Sequence, residues 1–286
     1  MYSSLDVIKQ QFATELPPRY SDRECLSLFY QIIEYSTGLR KVDVVLNPSK
    51  EVTEVQANEI NDLLNALKQG APIQYLVQAA PFMNHAFYVD DSVLIPRPET
   101  EELVQWILDT HSEDQLKLLD IGTGSGAIPV SLSSARPNWV VMACDVSNEA
   151  LVTARRNARE ILTQSDVAFY REDILDPKAE YHQSLDIIVS NPPYVLESDK
   201  ELMEDNVLQF EPGMALFVPD TDPILFYRAI SKYALNNLKT GGYLYFEIHE
   251  LYAEMVQECM VAEGFKEVVI KEDLQDKPRM ICGKRA

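Results

Sequence analysis

The clearest indication of the fold lies in residues 117–126, which read Lys117-Leu118-Leu119-Asp120-Ile121-Gly122-Thr123-Gly124-Ser125-Gly126. A short apolar run that ends at a glycine cluster predicts a buried β-strand followed by a tight turn. Residues 127–132 then predict a helix, because the proline at position 129 falls in the first helical turn, where it is tolerated. A strand, a glycine loop and a helix in this order are typical of a nucleotide-binding βαβ unit.

Acidic residues follow the next two predicted strands. Residues 139–144 are apolar and end at Asp145, where a carboxylate can accept hydrogen bonds from the hydroxyls of a ribose. Residues 167–170 predict a third strand, after which Asp173 can accept the amino group of an adenine while Ile174 packs against the ring. The carboxyl ends of parallel strands meet at one edge of a sheet, so we expect these residues to line one cleft.

A fourth apolar run, residues 185–190, ends at Asn191-Pro192-Pro193-Tyr194. Prolines cannot donate ladder hydrogen bonds, so the strand must stop and the following loop is stiff. We predict catalytic roles for all four residues. The side-chain oxygen of Asn191 and the carbonyl of Pro192 would accept the two N–H groups of a planar nitrogen. Pro193 would stiffen the loop, and Tyr194 would pack over the acceptor. The motif alone supports either a planar amide or an exocyclic amine as the acceptor.

Two adenosine cofactors are compatible with the glycine loop, because Ala127 also completes the loose dinucleotide spacing. The carboxylate of Asp120 lies directly before the loop, where it would disfavour a pyrophosphate and suit an amino or sulfonium group. Four strand ends that converge on one cleft also favour S-adenosylmethionine over NAD. The predicted cofactor-binding residues are Asp120, Gly122, Thr123, Gly124, Ser125, Gly126, Asp145, Asp173, Ile174 and Asn191.

Several further motifs extend the pattern over nearly the whole chain. They are Gly70-Ala71-Pro72-Ile73-Gln74-Tyr75-Leu76, Leu94-Ile95-Pro96-Arg97-Pro98-Glu99-Thr100-Glu101, Glu211-Pro212 and Gly241-Gly242. With them, the chain resembles the HemK/PrmC family of glutamine N5-methyltransferases that modify peptide chain release factors. The segment Ile95–Glu101 is the most specific of these motifs. The chain departs from the family pattern at Gln78, where a glycine is usual, and at Phe82-Met83-Asn84, where a Phe-Tyr-Gly-like triplet is common.

The resemblance implies an α/β fold: a seven-stranded Rossmann-like class I methyltransferase sheet whose last strand is antiparallel, and a small all-helical N-terminal domain joined by a β-hairpin. We place the helical, substrate-recognising domain at residues 1–75, the hairpin linker at 76–96 and the methyltransferase domain at 97–286. The resemblance also implies that the acceptor is the glutamine of a Gly-Gly-Gln motif in release factors. The product of the cofactor would be S-adenosylhomocysteine.

The charge of the chain bears on its partners. The chain has 286 residues, with 25 basic and 45 acidic side chains and a net charge of −20. Since affinity for nucleic acid comes largely from basic residues, this balance disfavours the alternative of a nucleic-acid N-methyltransferase and favours a protein partner. A third possibility, a binding protein without catalysis, is disfavoured by the intact loop at 191–194.

Other features predict a cytoplasmic protein, which we expect to be a monomer. The four cysteines (Cys25, Cys144, Cys259 and Cys282) lack metal-ligand spacing, so we predict buried thiols and no metal. No apolar run approaches the ~20 residues that cross a bilayer, and the N-terminus does not resemble a secretory signal.

Local patterns predict further details of secondary structure. Capping boxes begin at Ser21 and Thr53. Thr100 is predicted to cap a helix over 101–108, and Asp222 a helix that runs to Lys239, before a turn at Gly241-Gly242. The acidic segment 197–210 is predicted to form a mobile flap over the cleft.

Overall fold

A computed structural model of the chain describes residues 4–17, 19–202 and 205–286. The described residues form two compact units. One unit consists of 1–79 and 205–210, and the other of 80–204 and 211–286. The domain division at residues 75 and 96 stays a prediction.

The N-terminal unit is helical. Its helices are α1 (Leu5–Glu15), α2 (Asp22–Thr37), α3 (Lys41–Leu46), α4 (Glu54–Lys68) and α5 (Ile73–Leu76). Both predicted capping boxes are present: the Ser21 hydroxyl accepts the main-chain N–H of Glu24, and the Thr53 hydroxyl accepts that of Gln56. Apolar side chains at helical spacing form one core, in which the rings of Phe12 and Phe29 meet edge to face at 5.7 Å. The prediction of an all-helical N-terminal domain is confirmed.

A short β-hairpin is present within the predicted range 76–96, but it lies earlier than the apolar pieces at 87–89 and 93–95 indicate, since residues 88–95 form no strand. Strands β1 (Ala80–Phe82) and β2 (His85–Phe87) pair antiparallel. Met83 and Asn84 between them have φ values of 47° and 64°, as a two-residue hairpin turn of type I′ requires. After β2 the chain leaves the hairpin because the Asn157 side chain accepts the N–H of Tyr88 at 2.7 Å and donates to its carbonyl at 2.9 Å. The segment after residue 87 therefore has no strand partner to pair with among the described residues.

Both departures from the family pattern fall on left-handed backbone. Gln78 has a φ of 52°, and Asn84 replaces the glycine of the usual triplet. Glycine adopts this conformation freely, asparagine tolerates it, and a long side chain such as glutamine pays a steric cost. The backbone is left-handed at both positions, after α5 at Gln78 and in the hairpin turn at Asn84, although neither residue is a glycine.

The second unit alternates strands and helices. Its elements are α6 (Pro98–Thr110), β3 (Lys117–Ile121), α7 (Ala127–Ala135), β4 (Val140–Asp145), α8 (Asn148–Ile161), β5 (Val167–Arg171), β6 (Leu185–Ser190), β7 (Val195–Leu196), β8 (Phe217–Val218), α10 (Leu225–Asn237), β9 (Leu238–Glu247), α11 (Ala253–Glu263), β10 (Phe265–Glu272) and β11 (Pro278–Arg285). Helix α9 (Asp205–Phe210), which follows β7 in the chain, belongs to the first unit. Short strands β7 and β8 pair with each other.

The main sheet has seven strands in the order β10-β11-β9-β6-β3-β4-β5. All neighbours from β9 to β5 are parallel, and β11 is antiparallel to both β9 and β10. Alternate residues of the central strands enter two apolar cores, so that Leu118 packs on one face and Leu119 on the other. The predicted sheet is confirmed. Since β3 lies between β4 and β6, the strand order reverses beside β3, and ligands bind at such a switch point in open α/β sheets.

Three local expectations differ from the structure. Helix α6 begins at Pro98, so Thr100 lies inside its first turn, buried, and is not the cap. Helix α10 begins at Leu225, because the carbonyl of Asp222 closes a turn with the Leu225 N–H and its carboxylate pairs with Arg228. The turn at Gly241 lies within β9 as an irregularity in its pairing with β6.

The predicted flap at 197–210 lies partly outside the described residues, at positions 203 and 204. The described part forms a 3₁₀ helix (Glu197–Leu202) and α9. Its mobility stays a prediction.

Candidate active site

A cavity of about 390 Å³ opens at the carboxyl ends of β3, β4, β5 and β6, where the sequence predicts the site. The predicted residues that line it are Gly122, Thr123, Gly124, Ser125, Asp145, Asp173, Ile174, Asn191, Pro192 and Pro193. Three predicted residues are not on the wall that the described residues form: Asp120, Gly126 and Tyr194. The structure thus brings together residues from four strand ends at one cavity.

The glycine loop after β3 relies on left-handed backbone. Gly122 and Gly124 have φ values of 75° and 53°, and a Cβ added to either would meet no atom of the described chain within 4 Å. Their glycine character therefore leaves the backbone bare on the cavity side, as well as relieving φ strain. Position 126 requires a glycine for a different reason: a Cβ added there would lie 3.1 Å from the Cβ of Ala154 on α8. The loop can hold its position against α8 only without a side chain there.

Asp145 connects the end of β4 to this loop. One of its carboxylate oxygens accepts the N–H of Gly124 at 2.9 Å, and the other accepts the N–H of Ser147 at 2.9 Å. Burial raises the pKa of Asp145, and these N–H bonds oppose the rise. Each oxygen keeps a second lone pair, and the residue lines the cavity. Asp145 can therefore fix the loop and accept a ligand hydroxyl at once.

Asp120 is a buried carboxyl beneath the loop. It is fully buried, and neither of its oxygens has a hydrogen-bond partner among the described residues. Burial raises the pKa of Asp120 to about 7, helped by the nearby charge of Asp145 and opposed by the Thr123 hydroxyl. Like the Asp120 oxygens, the Thr123 hydroxyl has no hydrogen-bond partner within the described part of the chain. Unpaired buried polar atoms are rare, so this position suits a ligand that brings hydrogen-bond donors, as an amino group does.

The loop after β5 holds two acidic residues on the wall. Asp173 accepts the N–H of Leu175 through one oxygen at 2.9 Å, which leaves the other for a ligand. Ile174 follows as an apolar surface in the same wall. Glu172 also lines the cavity, and the sequence analysis assigned it no role. Its two oxygens accept the N–H groups of Lys178 and Ala179 at 2.9 and 2.8 Å, so it organises the loop.

The loop after β6 is anchored by a buried hydrogen-bond network. The Thr100 hydroxyl donates to Oε2 of Glu247 at 2.5 Å and accepts from Nδ2 of Asn191 at 3.3 Å. The Tyr194 hydroxyl donates to Oε1 of Glu247 at 3.2 Å, and the Tyr227 hydroxyl donates to the main-chain carbonyl of the same glutamate at 3.2 Å. One carboxylate at the end of β9 thus holds groups from two other elements.

Glu247 is almost fully buried, with 1% of its surface exposed. Burial raises its pKa, while the hydrogen bonds from Thr100 and Tyr194 and the charge of Arg279 oppose the rise. Sequence reasoning missed both Thr100 and Glu247 as site residues. The available signal was an acidic residue at the end of the apolar run 243–246, the same pattern that marked Asp145.

The segment between the hairpin and α6 also contributes to the wall; the sequence left open whether Arg97 or Glu99 lines the mouth of the site or has a purely structural role, and Arg97 is on the wall. Ser92, Val93, Leu94, Pro96 and Arg97 line the cavity. The Arg97 guanidinium donates to Oε1 of Glu211 at 2.6 Å, and the Glu211 side chain is 2% exposed. This pair ties the segment Ile95–Glu101 to the chain after the 191–194 loop. The family-specific motif therefore has a structural position beside the site.

The described residues hold neither a metal-binding cluster nor a membrane-spanning helix. Within 4–17, 19–202 and 205–286, no cluster of three or more His, Cys, Asp or Glu is arranged to hold a metal ion. Over the same ranges, every helix is too short or too polar to cross a bilayer.

Comparison with protein families gives matches to both parts of the chain. Residues 9–77 match the PrmC N-terminal domain, and residues 100–209 match the methyltransferase small domain. A release factor glutamine methyltransferase from Flavobacterium psychrophilum is 42% identical over 277 residues, which cover 96% of each chain. The chain belongs to the release factor glutamine methyltransferase family. A second member of the family, from Bacteroides thetaiotaomicron, is 39% identical and covers 93% of this chain and 95% of its own.

Solved structures show the same methyltransferase fold at low sequence identity. A methyltransferase from Pyrococcus furiosus has a TM-score of 0.51 at 17% identity and covers 70% of this chain and 88% of its own. The hMettl16 catalytic domain in complex with MAT2A 3′UTR hairpin 6 has a TM-score of 0.56 at 13% identity, over 83% of this chain and 84% of its own. At these identities the likeness concerns the fold alone.

Proposed function

We propose that this chain transfers a methyl group from S-adenosylmethionine to the side-chain amide nitrogen, N5, of the glutamine in the Gly-Gly-Gln motif of peptide chain release factors. The reaction would support translation termination. The observation that carries the proposal is the 42% identity to a release factor glutamine methyltransferase over 96% of the chain. The intact loop Asn191-Pro192-Pro193-Tyr194 at the cavity supports it.

The residues around the cavity fit the cofactor. S-adenosylmethionine supplies an electrophilic methyl group on a sulfonium. Gly122 and Gly124 leave room for its amino acid portion against bare backbone, and the unpaired carboxyl of Asp120 lies beneath them. Thr123, Ser125 and Gly126 complete this loop. Asp145 would accept the ribose hydroxyls.

The adenine would lie at the loop after β5. The free oxygen of Asp173 would accept a hydrogen bond from the adenine amino group, and Ile174 would pack against the ring. Both residues line the cavity. The same cavity continues to Asn191, so the acceptor and the cofactor would share it.

The 191–194 loop would bind the acceptor. An amide nitrogen is a poor nucleophile because its lone pair is delocalised into the carbonyl. Oδ1 of Asn191 and the carbonyl of Pro192 would each accept one of its N–H groups and aim the nitrogen at the methyl carbon. These hydrogen bonds strengthen as positive charge develops on the nitrogen. Pro193 would keep the loop stiff, and Tyr194 would pack over the amide.

The remaining assignments follow from the same proposal. Residues 1–75 would recognise the protein substrate, 76–96 would link the domains, and 97–286 would bind the cofactor and catalyse transfer. A net charge of −20 suits a basic protein surface and opposes direct nucleic-acid binding. We expect a monomer that acts in the cytoplasm.

Methyl transfer from labelled S-adenosylmethionine tests the proposal. The acceptors are a purified release factor, its Gly-Gly-Gln→Gly-Gly-Ala variant and a mixture of DNA and RNA. We expect label in the unaltered release factor only. Label in nucleic acid but not in the release factor would favour a nucleic-acid N-methyltransferase. Cofactor binding without label in any acceptor would refute the proposed substrate.

A further inference from the structure

The amide of Asn191 can point in two ways, and only one of them suits a substrate N–H. With Oδ1 toward the cavity, the side chain can accept a hydrogen bond. With Nδ2 toward the cavity, it would present a donor to another donor and oppose binding of an amide nitrogen. A flexible surface asparagine samples both orientations. The site therefore needs something that fixes which atom faces inward.

The network behind the loop supplies this constraint. Both oxygens of Glu247 accept hydrogen bonds, from Thr100 and from Tyr194, as the oxygens of a carboxylate do, so the proton of the Thr100 hydroxyl is committed to Oε2. The hydroxyl oxygen that remains is an acceptor, and the atom it can accept from is Nδ2 of Asn191, 3.3 Å away. This assignment leaves Oδ1 of Asn191 for the cavity that the residue lines. The direction of each hydrogen bond is thus dictated by the carboxylate at the far end.

The same carboxylate also holds the other end of the loop. Its Oε1 accepts the Tyr194 hydroxyl at 3.2 Å. Its own position is fixed because Glu247 ends the buried strand β9 and its main-chain carbonyl accepts the Tyr227 hydroxyl. Glu247 therefore contacts Tyr194 directly and Asn191 through Thr100.

We propose that Glu247 and Thr100 are positioning residues that fix the orientation of the Asn191 amide and of the Tyr194 ring for methyl transfer. This inference rests on the proposed function, because it concerns how the same loop presents its acceptor groups. In this proposal Thr100, which is also on the cavity wall, and Glu247 act through Asn191 and Tyr194 and not on the reacting atoms. Their effect is to make Oδ1 of Asn191 a permanent acceptor toward the substrate.

Two substitutions at Thr100 separate positioning from packing. Thr100→Val keeps the shape of the side chain and removes the hydroxyl, whereas Thr100→Ser keeps the hydroxyl and removes the methyl group. We expect Thr100→Val to lower kcat at saturating cofactor and release factor by roughly 10- to 100-fold, since small errors of position cost that much. The affinity for S-adenosylmethionine should change less than about twofold, because the orientation of one side chain at the acceptor end is what changes. Thr100→Ser should keep kcat within a factor of about three. Equal kcat values for the Val and Ser variants would overturn the proposal.

A measurement without substrate keeps this test independent of the proposed function. The side-chain amide protons of Asn191 can be followed by nuclear magnetic resonance in the ¹⁵N-labelled protein, with Asn58, an exposed residue of α4, as the reference. We expect slow exchange of an Asn191 amide proton in the wild type and in Thr100→Ser, and fast exchange in Thr100→Val. Exchange of the Asn191 amide in the wild type as fast as that of Asn58 would refute the positioning role, even if the enzyme is active. Slow exchange together with no methyl transfer would refute only the proposed function.

Discussion

Two loops at neighbouring strand ends form most of the cavity, and they obtain their rigidity in opposite ways. The loop after β3 is built from backbone, with left-handed glycines at 122, 124 and 126 and one carboxylate, Asp145, that accepts its N–H. The loop after β6 contains two prolines and is anchored through side chains, by Thr100 and Glu247. The first arrangement leaves backbone without side chains beside open space, whereas the second orients individual functional groups. We infer that the first suits a cofactor and the second suits a reacting amide.

The largest expected effect tests the loop after β6. Asn191→Ala removes the acceptor for one substrate N–H, and we expect kcat to fall by about 100- to 1000-fold, as for the loss of a hydrogen-bonding group that acts on the transition state. The affinity for S-adenosylmethionine, measured by calorimetry, should stay within about threefold. The control is Asn236→Ala, an exposed residue on α10. If cofactor affinity and kcat fell in parallel, the division between the loops would be wrong.

The carboxyl beneath the loop after β3 should make the stability of the ligand-free protein depend on pH. The pKa of Asp120 is 3.8 in an unfolded chain and about 7 when folded. Between these values the unfolded state gives up a proton that the folded state keeps, so stability falls as pH rises from about 4 to about 7, by up to about 4 kcal/mol. Asp120→Asn should remove this loss and be more stable than the wild type above pH 7.

The same variant should bind S-adenosylmethionine more weakly, because a charged acceptor for its amino group is lost. Urea unfolding at several pH values measures the first effect, with the exposed Asp62→Asn as the control. Identical pH dependence in Asp120→Asn and the wild type would contradict the raised pKa of the buried Asp120 carboxyl in the ligand-free protein.

Asp145→Ala should have the opposite effect to Asn191→Ala: it should weaken cofactor binding and leave kcat nearly unchanged. The variant loses a carboxylate that fixes Gly124 and would accept ribose hydroxyls, and hydrogen bonds to charged groups contribute about 1.5–3 kcal/mol. We expect the dissociation constant for S-adenosylmethionine to rise by about 10- to 100-fold. At saturating cofactor, kcat should remain close to the wild-type value. Unchanged cofactor affinity would mean that Asp145 does not contact the ribose.

The smallest expected effects compare left-handed backbone with and without glycine. Gly124→Ala should destabilise the protein by about 1 kcal/mol, since φ of 53° is costly for alanine and the Cβ itself meets open space. Gln78→Gly should stabilise it by up to about 1 kcal/mol, because it removes the same cost. Gly213→Ala is the matched control, with no left-handed φ and an ordinary 3.5 Å contact to Phe217. Thermal unfolding measures the stability of all three variants. A loss of stability in Gln78→Gly would contradict the proposed steric cost of left-handed backbone at Gln78.

The sequence predicted the parts of the site whose signal is local. An apolar run followed by glycines, by Asp145 or by two prolines identifies a strand end within a few residues, and the sheet then brings such ends together. Contacts between distant segments carry no such signal. Thr100 and Glu247 are 147 residues apart, and periodicity predicted Thr100 as a helix cap. The burial of Asp120 beneath the loop, and its missing partners, also depend on packing that no local pattern describes.

The most direct test is a crystal structure of the chain with S-adenosylhomocysteine and a release factor. We predict that the adenosyl group lies against the 122–126 loop, with its ribose at Asp145. We also predict that the glutamine side-chain nitrogen lies within hydrogen-bond distance of Oδ1 of Asn191 and the carbonyl of Pro192. A glutamine amide bound away from both of these acceptors, or a cofactor held outside the glycine loop, would contradict this binding mode.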